Sequence, residues 1–152
     1  MNATVRSAPD FLGVFAACRD AWQAMLELSR RQCALIEAGE YPQLLDVLAR
    51  KQRLLEQLDG LNARHPRIRA QWRANRDNLD PQTRDDCAHA LAETEAILAE
   101  LRDHEQASTQ QLAGRRDRTA EAIKALAAGH DLHDAYRDNL APATHRHLDV
   151  CQ

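Results

Sequence analysis

The sequence predicts an all-α protein: an antiparallel helical hairpin followed by a long third helix, in the manner of a three-helix bundle. Three observations carry this. Apolar residues recur at steps of three and four throughout, the period of a helix face and not of a strand. The 152 residues include only two Phe, two Trp and two Tyr, so the apolar mass is Leu and Ala, which suit narrow helix–helix seams. Five Gly and five Pro confine turns to a few places, and the stretches between them are too long for strands.

The first helix is expected over about residues 8–38. Ser7-Ala-Pro-Asp10 resembles a capping box with proline in the first turn, and Gly39 supplies the stop. Val14, Phe15, Cys18, Trp22, Met25, Leu28, Leu35 and Ile36 form its stripe. The second helix, over about 42–64, starts at Pro42 and carries Leu44, Leu45, Val47, Leu48, Leu54, Leu55, Leu58 and Leu61 until Gly60 and His65-Pro66 weaken or end it. With only Gly39, Glu40 and Tyr41 between them, the two must form an αα-hairpin. This places Ile36 near Leu44 and Leu45, and Trp22 level with Leu55 and Leu58.

Residues 67–78 are compatible with a short helix or an ordered crossover, anchored by Ile68, Trp72 and Leu79. Asp80 as N-cap and Pro81 at the first helical position open the third helix, expected over 81–128 with Gly129 as its stop. Its heptad seam reads Cys87, Leu91, Thr94, Leu98, Leu101, Glu105, Ser108, Leu112, Arg115, Thr119, Ala122 and Leu126. The middle of that seam is polar. At 1.5 Å per residue the helix extends for roughly 70 Å, longer than either hairpin arm, so part of it is expected to meet another molecule. The bundle domain then spans residues 1–129, and the aperiodic residues 130–152 read as a flexible tail that orders on binding.

Composition and motifs exclude several function classes. Net charge is −3, with 12 Lys+Arg against 10 Asp+Glu through Asp80 and 8 against 13 beyond it. That asymmetry favours pairing between the halves over a polyanionic partner. Arg64, Arg67, Arg69, Arg73 and Arg76 cluster around Trp72, too few for a nucleic-acid interface, and suit an acidic protein surface better. The apolar run from Phe11 to Cys18 meets Arg19 and Asp20 at once, so neither a signal peptide nor a membrane span is expected, and the chain is read as cytoplasmic. Cys18, Cys33, Cys87 and Cys151 form no CxxC pair and read as free thiols that fill seams. His130-x-x-His133, His145-x-His147 and Cys151 supply metal-type donors without zinc spacing, so no metal or other cofactor is expected. Asp85-Asp86 and the pair Glu93 and Glu100 fall on solvated helix faces, and no GxSxG, GxxxxGK[ST], GxGxxG or HExxH occurs. No enzyme is expected.

Residues 28–58 resemble the hairpin signature of the FlgN-type flagellar chaperones. Ala34-Leu35-Ile36, Gly39-Glu40, Leu44-Leu45, Leu48, Lys51-Gln52 and Leu54-Leu55 match it, and the Gly-acid turn followed by Lys-Gln is its specific part. The long last helix and the aromatic residue in Ala135-Tyr136-Arg137 extend the resemblance over most of the chain. It implies a cytoplasmic chaperone that keeps hook–filament junction (hook-associated) proteins unassembled and delivers them to the flagellar type III export gate. For such a chaperone the client groove is expected at Leu98, Leu101, Leu112, Ile123 and Leu126, by helix-in-groove packing, with docking to the export gate at Tyr136 carried over from the family's tail aromatic. Intramolecular core is the competing role for the leucines, most strongly near Leu98. A coiled-coil adaptor without flagellar context and a metal-responsive helical protein are the alternatives.

Overall fold

The computed structural model describes residues 9–140, and among these the secondary structure is helical throughout, with no strand. Helix α1 spans Phe11–Ala38, α2 spans Tyr41–Asn75, a single 3-10 turn covers Arg76–Asn78, and α3 spans Pro81–Leu140. The chain divides into two compact units, residues 1–111 and 112–152. The first is an up-down-up three-helix bundle. Arg19 reaches Glu93, Ser29 reaches Glu105 and Cys33 reaches Ser108, so α1 and α3 run parallel. Trp72 meets Phe11 and Phe15 while Lys51 meets Gln32, so α2 runs against α1. The predicted all-α bundle is the fold observed.

The helix ends follow from local chemistry. Asp10 caps α1 by accepting from the Gly13 amide at 2.9 Å, so the helix begins at Phe11 and not near Ser7, which lies outside the described residues. Gly39 takes a left-handed conformation (φ 72°) at the end of α1. Its amide reaches the Ile36 carbonyl, and the Glu40 amide reaches that of Leu35. These bonds satisfy carbonyls that a helix end otherwise leaves unpaired. The reversal is complete by Tyr41, with Pro42 following in the first turn of α2, where its missing N–H costs nothing. Asp80 accepts from the Thr83 amide at 2.9 Å and opens α3 where the sequence predicts.

Two expected helix ends are absent. The second helix does not stop at His65-Pro66: α2 continues through Pro66 to Asn75 and absorbs most of the segment read as a short helix or crossover. A proline inside a helix costs about 3 kcal/mol. Here the turns beyond it bury Trp72 and half-bury Ile68 against α1, which offsets that cost. The third helix does not stop at Gly129 either. Gly39 is the sole described residue with positive φ; Gly129 stays helical, because an isolated glycine costs only about 1 kcal/mol and Ala-rich sequence precedes it. Residues 130–140, expected in the tail, are therefore helical, whereas 141–152 lie outside the described residues.

Two apolar clusters hold the bundle. At one end Phe11, Phe15, Trp72, Cys87 and Ala90 are buried together, with Leu12, Val14, Ile68, Leu79 and Leu91 packed around them. The Trp72 ring stands edge-on to both Phe11 (5.8 Å) and Phe15 (5.7 Å), the geometry that aligns a ring's positive edge with its neighbour's negative face. Further along, Met25, Leu26, Leu58 and Leu101 form the second cluster, flanked by Trp22, Leu54, Leu61, Ile97 and Leu98. Trp22 thus shares a cluster with Leu58 as expected. Leu45, Leu48 and Leu55 do not join the core: Leu45 is 67% exposed and the other two are about two-fifths exposed. They sit off the inward stripe of Leu44, Val47, Lys51 and Leu58. The α2 sequence thus carries two apolar stripes, and one bundle face takes only one.

Candidate functional site

The heptad seam of α3 changes character along its length. From Cys87 to Ser108 every seam position is buried or half-buried. Leu98 and Leu101 belong here, packed with Met25, Leu26 and Leu58 inside the bundle. Leu112 is 40% exposed, and residues 116–133 are exposed without a break. In that second unit Ile123 (60%), Leu126 (74%), Leu132 (74%) and Tyr136 (65%) all present apolar surface to solvent. The structure therefore separates the six residues predicted for partner binding. Two are in the core, and Leu112, Ile123, Leu126 and Tyr136 are on open helix surface.

Within this second unit the helix is supported by its own sequence. Alanines at 113, 120, 122, 125, 127, 128 and 135 give high intrinsic helicity, and His130 Nδ1 lies 3.1 Å from Asp134 one turn on. No group of three or more metal-type donors gathers among the described residues; His145, His147 and Cys151 lie outside them. No described helix is long and apolar enough to cross a membrane.

Between the apolar clusters and the hairpin tip lies a polar layer that the sequence reading did not assign. Lys51, almost fully buried, donates to Gln32 Oε1 at 2.7 Å and pairs with Glu105. Ser29 donates to the same Glu105 oxygen at 2.6 Å. Cys33 Sγ lies 3.0 Å from Ser108 Oγ and 3.4 Å from the His104 carbonyl. All three helices meet in this layer, and Lys51 is the lysine of the Lys-Gln pair in the hairpin signature. Two sequence signals pointed to it: the polar middle of the α3 seam, at Glu105 and Ser108, and a lysine falling on the Leu44-Val47-Leu58 stripe. Outside the layer, Arg19 pairs with Glu93 and Arg30 with Glu100, tying α1 to α3 along the bundle's flank.

Electrostatics follow the burial. Burial opposes the charge of Glu105, but hydrogen bonds from Lys51 and Ser29 and the Lys51 charge outweigh it and hold its carboxyl below the usual range. Burial, helped by the Arg69 charge, lowers the imidazole of His65. Burial also raises the Cys18 and Cys87 thiols, which fits inert core fillers. Both the His65 and the Glu105 shifts make the unfolded chain bind protons before the folded one, so stability rises with pH. Thermal midpoints should fall in two stages on acidification. The first begins below about pH 6.5, as the unfolded chain's counterpart of His65 charges. The second begins below the ordinary glutamate range, as Glu105 loses its charge. His65→Gln should abolish the first stage alone; a single acid transition unchanged by that substitution would contradict the assignment.

Among the described residues the protein is an all-α helical bundle whose third helix carries a run of open apolar residues. Residues 1–139 match the family described as FlgN protein, and the chain belongs to that family. It is accordingly a chaperone of flagellar type III export. No curated protein and no solved structure matches it.

Proposed function

We propose that this chaperone works in the cytoplasm, binding the amphipathic terminal helices of hook-associated proteins, keeping them unassembled and bringing them to the export gate. The observation that carries the reading is the exposed series Leu112, Ile123 and Leu126 on α3 in a chain of this family. A client helix packed on these residues buries its own apolar stripe by helix-in-groove recognition and is withheld from polymerisation. Leu98 and Leu101 lie within the bundle, so the proposed surface starts at Leu112 and runs toward the C-terminus. Tyr136 is the proposed contact to the export gate: its ring gives a large apolar face at low entropic cost, with a hydroxyl at the tip.

Ile123→Glu combined with Leu126→Glu should leave helicity and the thermal midpoint of the bundle unchanged, since both side chains are exposed. It should weaken binding of a hook-associated client by about tenfold or more, the loss of ~1.4 kcal/mol or more at the interface. Tyr136→Ala should reduce affinity for the export gate and spare the client. Truncation after Gly129 should likewise leave the bundle's stability nearly unchanged and lose gate binding. Isothermal titration against client and gate fragments separately decides the matter. Client affinity unaltered by the double substitution would refute the assignment of this surface.

A further inference from the structure

We propose that the outer edge of α2 is a second docking surface, separate from residues 112–140, for an acidic amphipathic helix of a partner protein. One heptad line along α2 reads Leu48, Leu55, Asn62, Arg69, with Arg76 just past the helix end. The adjacent line reads Leu45, Gln52, Asp59, Pro66, Arg73. The first half of this edge is apolar: Leu45, Leu48 and Leu55 are exposed and take no part in either core cluster. Its second half is basic. No Asp or Glu occurs from Gly60 through Arg76. On this edge Arg73 has no ion pair among the described residues, while Arg69 and Arg76 have only long ones, at 4.0 Å to Glu95 and 3.9 Å to Asp77; Arg64 and Arg67 lie off both lines and add to the local positive charge. So many like charges within four turns repel one another, and an outside acidic partner relieves this.

Between the two halves the surface opens into a cleft of about 210 Å³. Asn62, His65 and Arg69 line it from α2, with Leu91, Glu95 and Leu98 from α3 and Trp22 from α1. Its size suits one large apolar side chain, and a partner's carboxylate beside that chain would compete with Glu95, 4.0 Å away, for Arg69. The edge from Leu48 to Arg76 covers about 42 Å at 1.5 Å per residue, the length of about four heptads. A bilayer is a poorer fit, because it requires an apolar stripe along the whole helix, and here that stripe ends at Leu55. A polyanion would make no use of the leucines or the apolar cleft. A helix lying antiparallel to α2, acidic in its first half and leucine-bearing in its second, satisfies both halves. Its N-terminal carboxylates also suit its own helix dipole.

The test uses the full chain and two labelled synthetic helices of about four heptads. One carries Glu in its first half and Leu at the seam of its second; the other has Lys in place of each Glu. Fluorescence anisotropy should show the Glu peptide bound and the Lys peptide bound about tenfold or more weaker. Arg69→Glu with Arg73→Glu should reverse that preference, an outcome that a misfolded variant cannot produce. Leu48→Ser with Leu55→Ser should weaken both peptides, whereas Ile123→Glu with Leu126→Glu should weaken neither. The proposal is overturned if the Glu peptide fails to bind, if the arginine reversals leave the preference unchanged, or if anionic vesicles or a single-stranded oligonucleotide bind this edge more tightly than the peptide.

Discussion

Trp72→Ala is expected to lower the unfolding free energy by about 3–5 kcal/mol, the range for truncating a large buried aromatic. The side chain is 6% exposed and touches both Phe11 and Phe15, so little of the cavity can be filled by local collapse. The effect is concentrated because Trp72 is also the main anchor of α2 beyond Pro66. Without it the proline's cost is no longer offset, and residues 67–75 should lose helix before the rest of the bundle unfolds. Urea unfolding followed by far-ultraviolet circular dichroism, with amide exchange across 67–75, measures both. Trp72→Phe, which keeps an edge-on ring, should recover most of the loss. A change below about 1 kcal/mol for the alanine variant, within the range of ordinary surface substitutions, would contradict the packing described.

Lys51→Ala should be the next most damaging substitution, at about 1–3 kcal/mol, because it leaves the buried Gln32 carbonyl without its donor and Glu105 without its cation. The electrostatic share is discounted, since Glu105 is 42% exposed and water screens that end of the pair. Lys51→Met tests a different point. A methionine of similar length removes the charge and keeps the volume, so with Glu105→Leu in the same chain stability should return close to that of the natural protein, as happens when buried ion pairs give way to apolar groups. What the apolar pair would lack is the directional bonding that sets the alignment of α1, α2 and α3 at this level. A double-mutant cycle on Lys51 and Glu105 should return a coupling of about 0.5–3 kcal/mol. Zero coupling would show that the two side chains act independently.

The predicted hairpin turn and the start of α3 match the structure because each is decided within a few residues. Gly39 is the residue best suited to a left-handed stop, and Asp80-Pro81 is a cap followed by a residue that needs no hydrogen bond. The expected ends at Pro66 and Gly129 failed for a shared reason: each is a local penalty of a few kcal/mol or less, decided by what lies on either side. At Pro66 the deciding contact is with Phe11 and Phe15, more than fifty residues earlier, which no local pattern reports. Leu45 and Leu55, expected to face α1 at Ile36 and Trp22, are exposed, because periodicity shows that a face is apolar, not which of two apolar faces the bundle covers. The same ambiguity groups Leu98 and Leu101 with Leu112 and Leu126, since one heptad seam runs through these four, with Ile123 one residue off it. Which residues of that seam are covered depends on how far α1 and α2 reach, which is tertiary information.

The parallel arrangement of α1 and α3 bears on how the chain acquires its structure during synthesis. The α1–α2 hairpin closes through a turn of two residues and can form as soon as residue 75 has left the ribosome. The α1–α3 contacts join residues 70 to 76 positions apart, and each doubling of such a loop adds only about 0.6 kcal/mol of closure entropy. Docking of α3 is therefore the later event and not a prohibitive one. Until it occurs, the two apolar clusters of the nascent hairpin lack the cover that Cys87, Ala90 and Leu101 of α3 give them, so for that interval the chain presents the kind of apolar surface that other chaperones recognise.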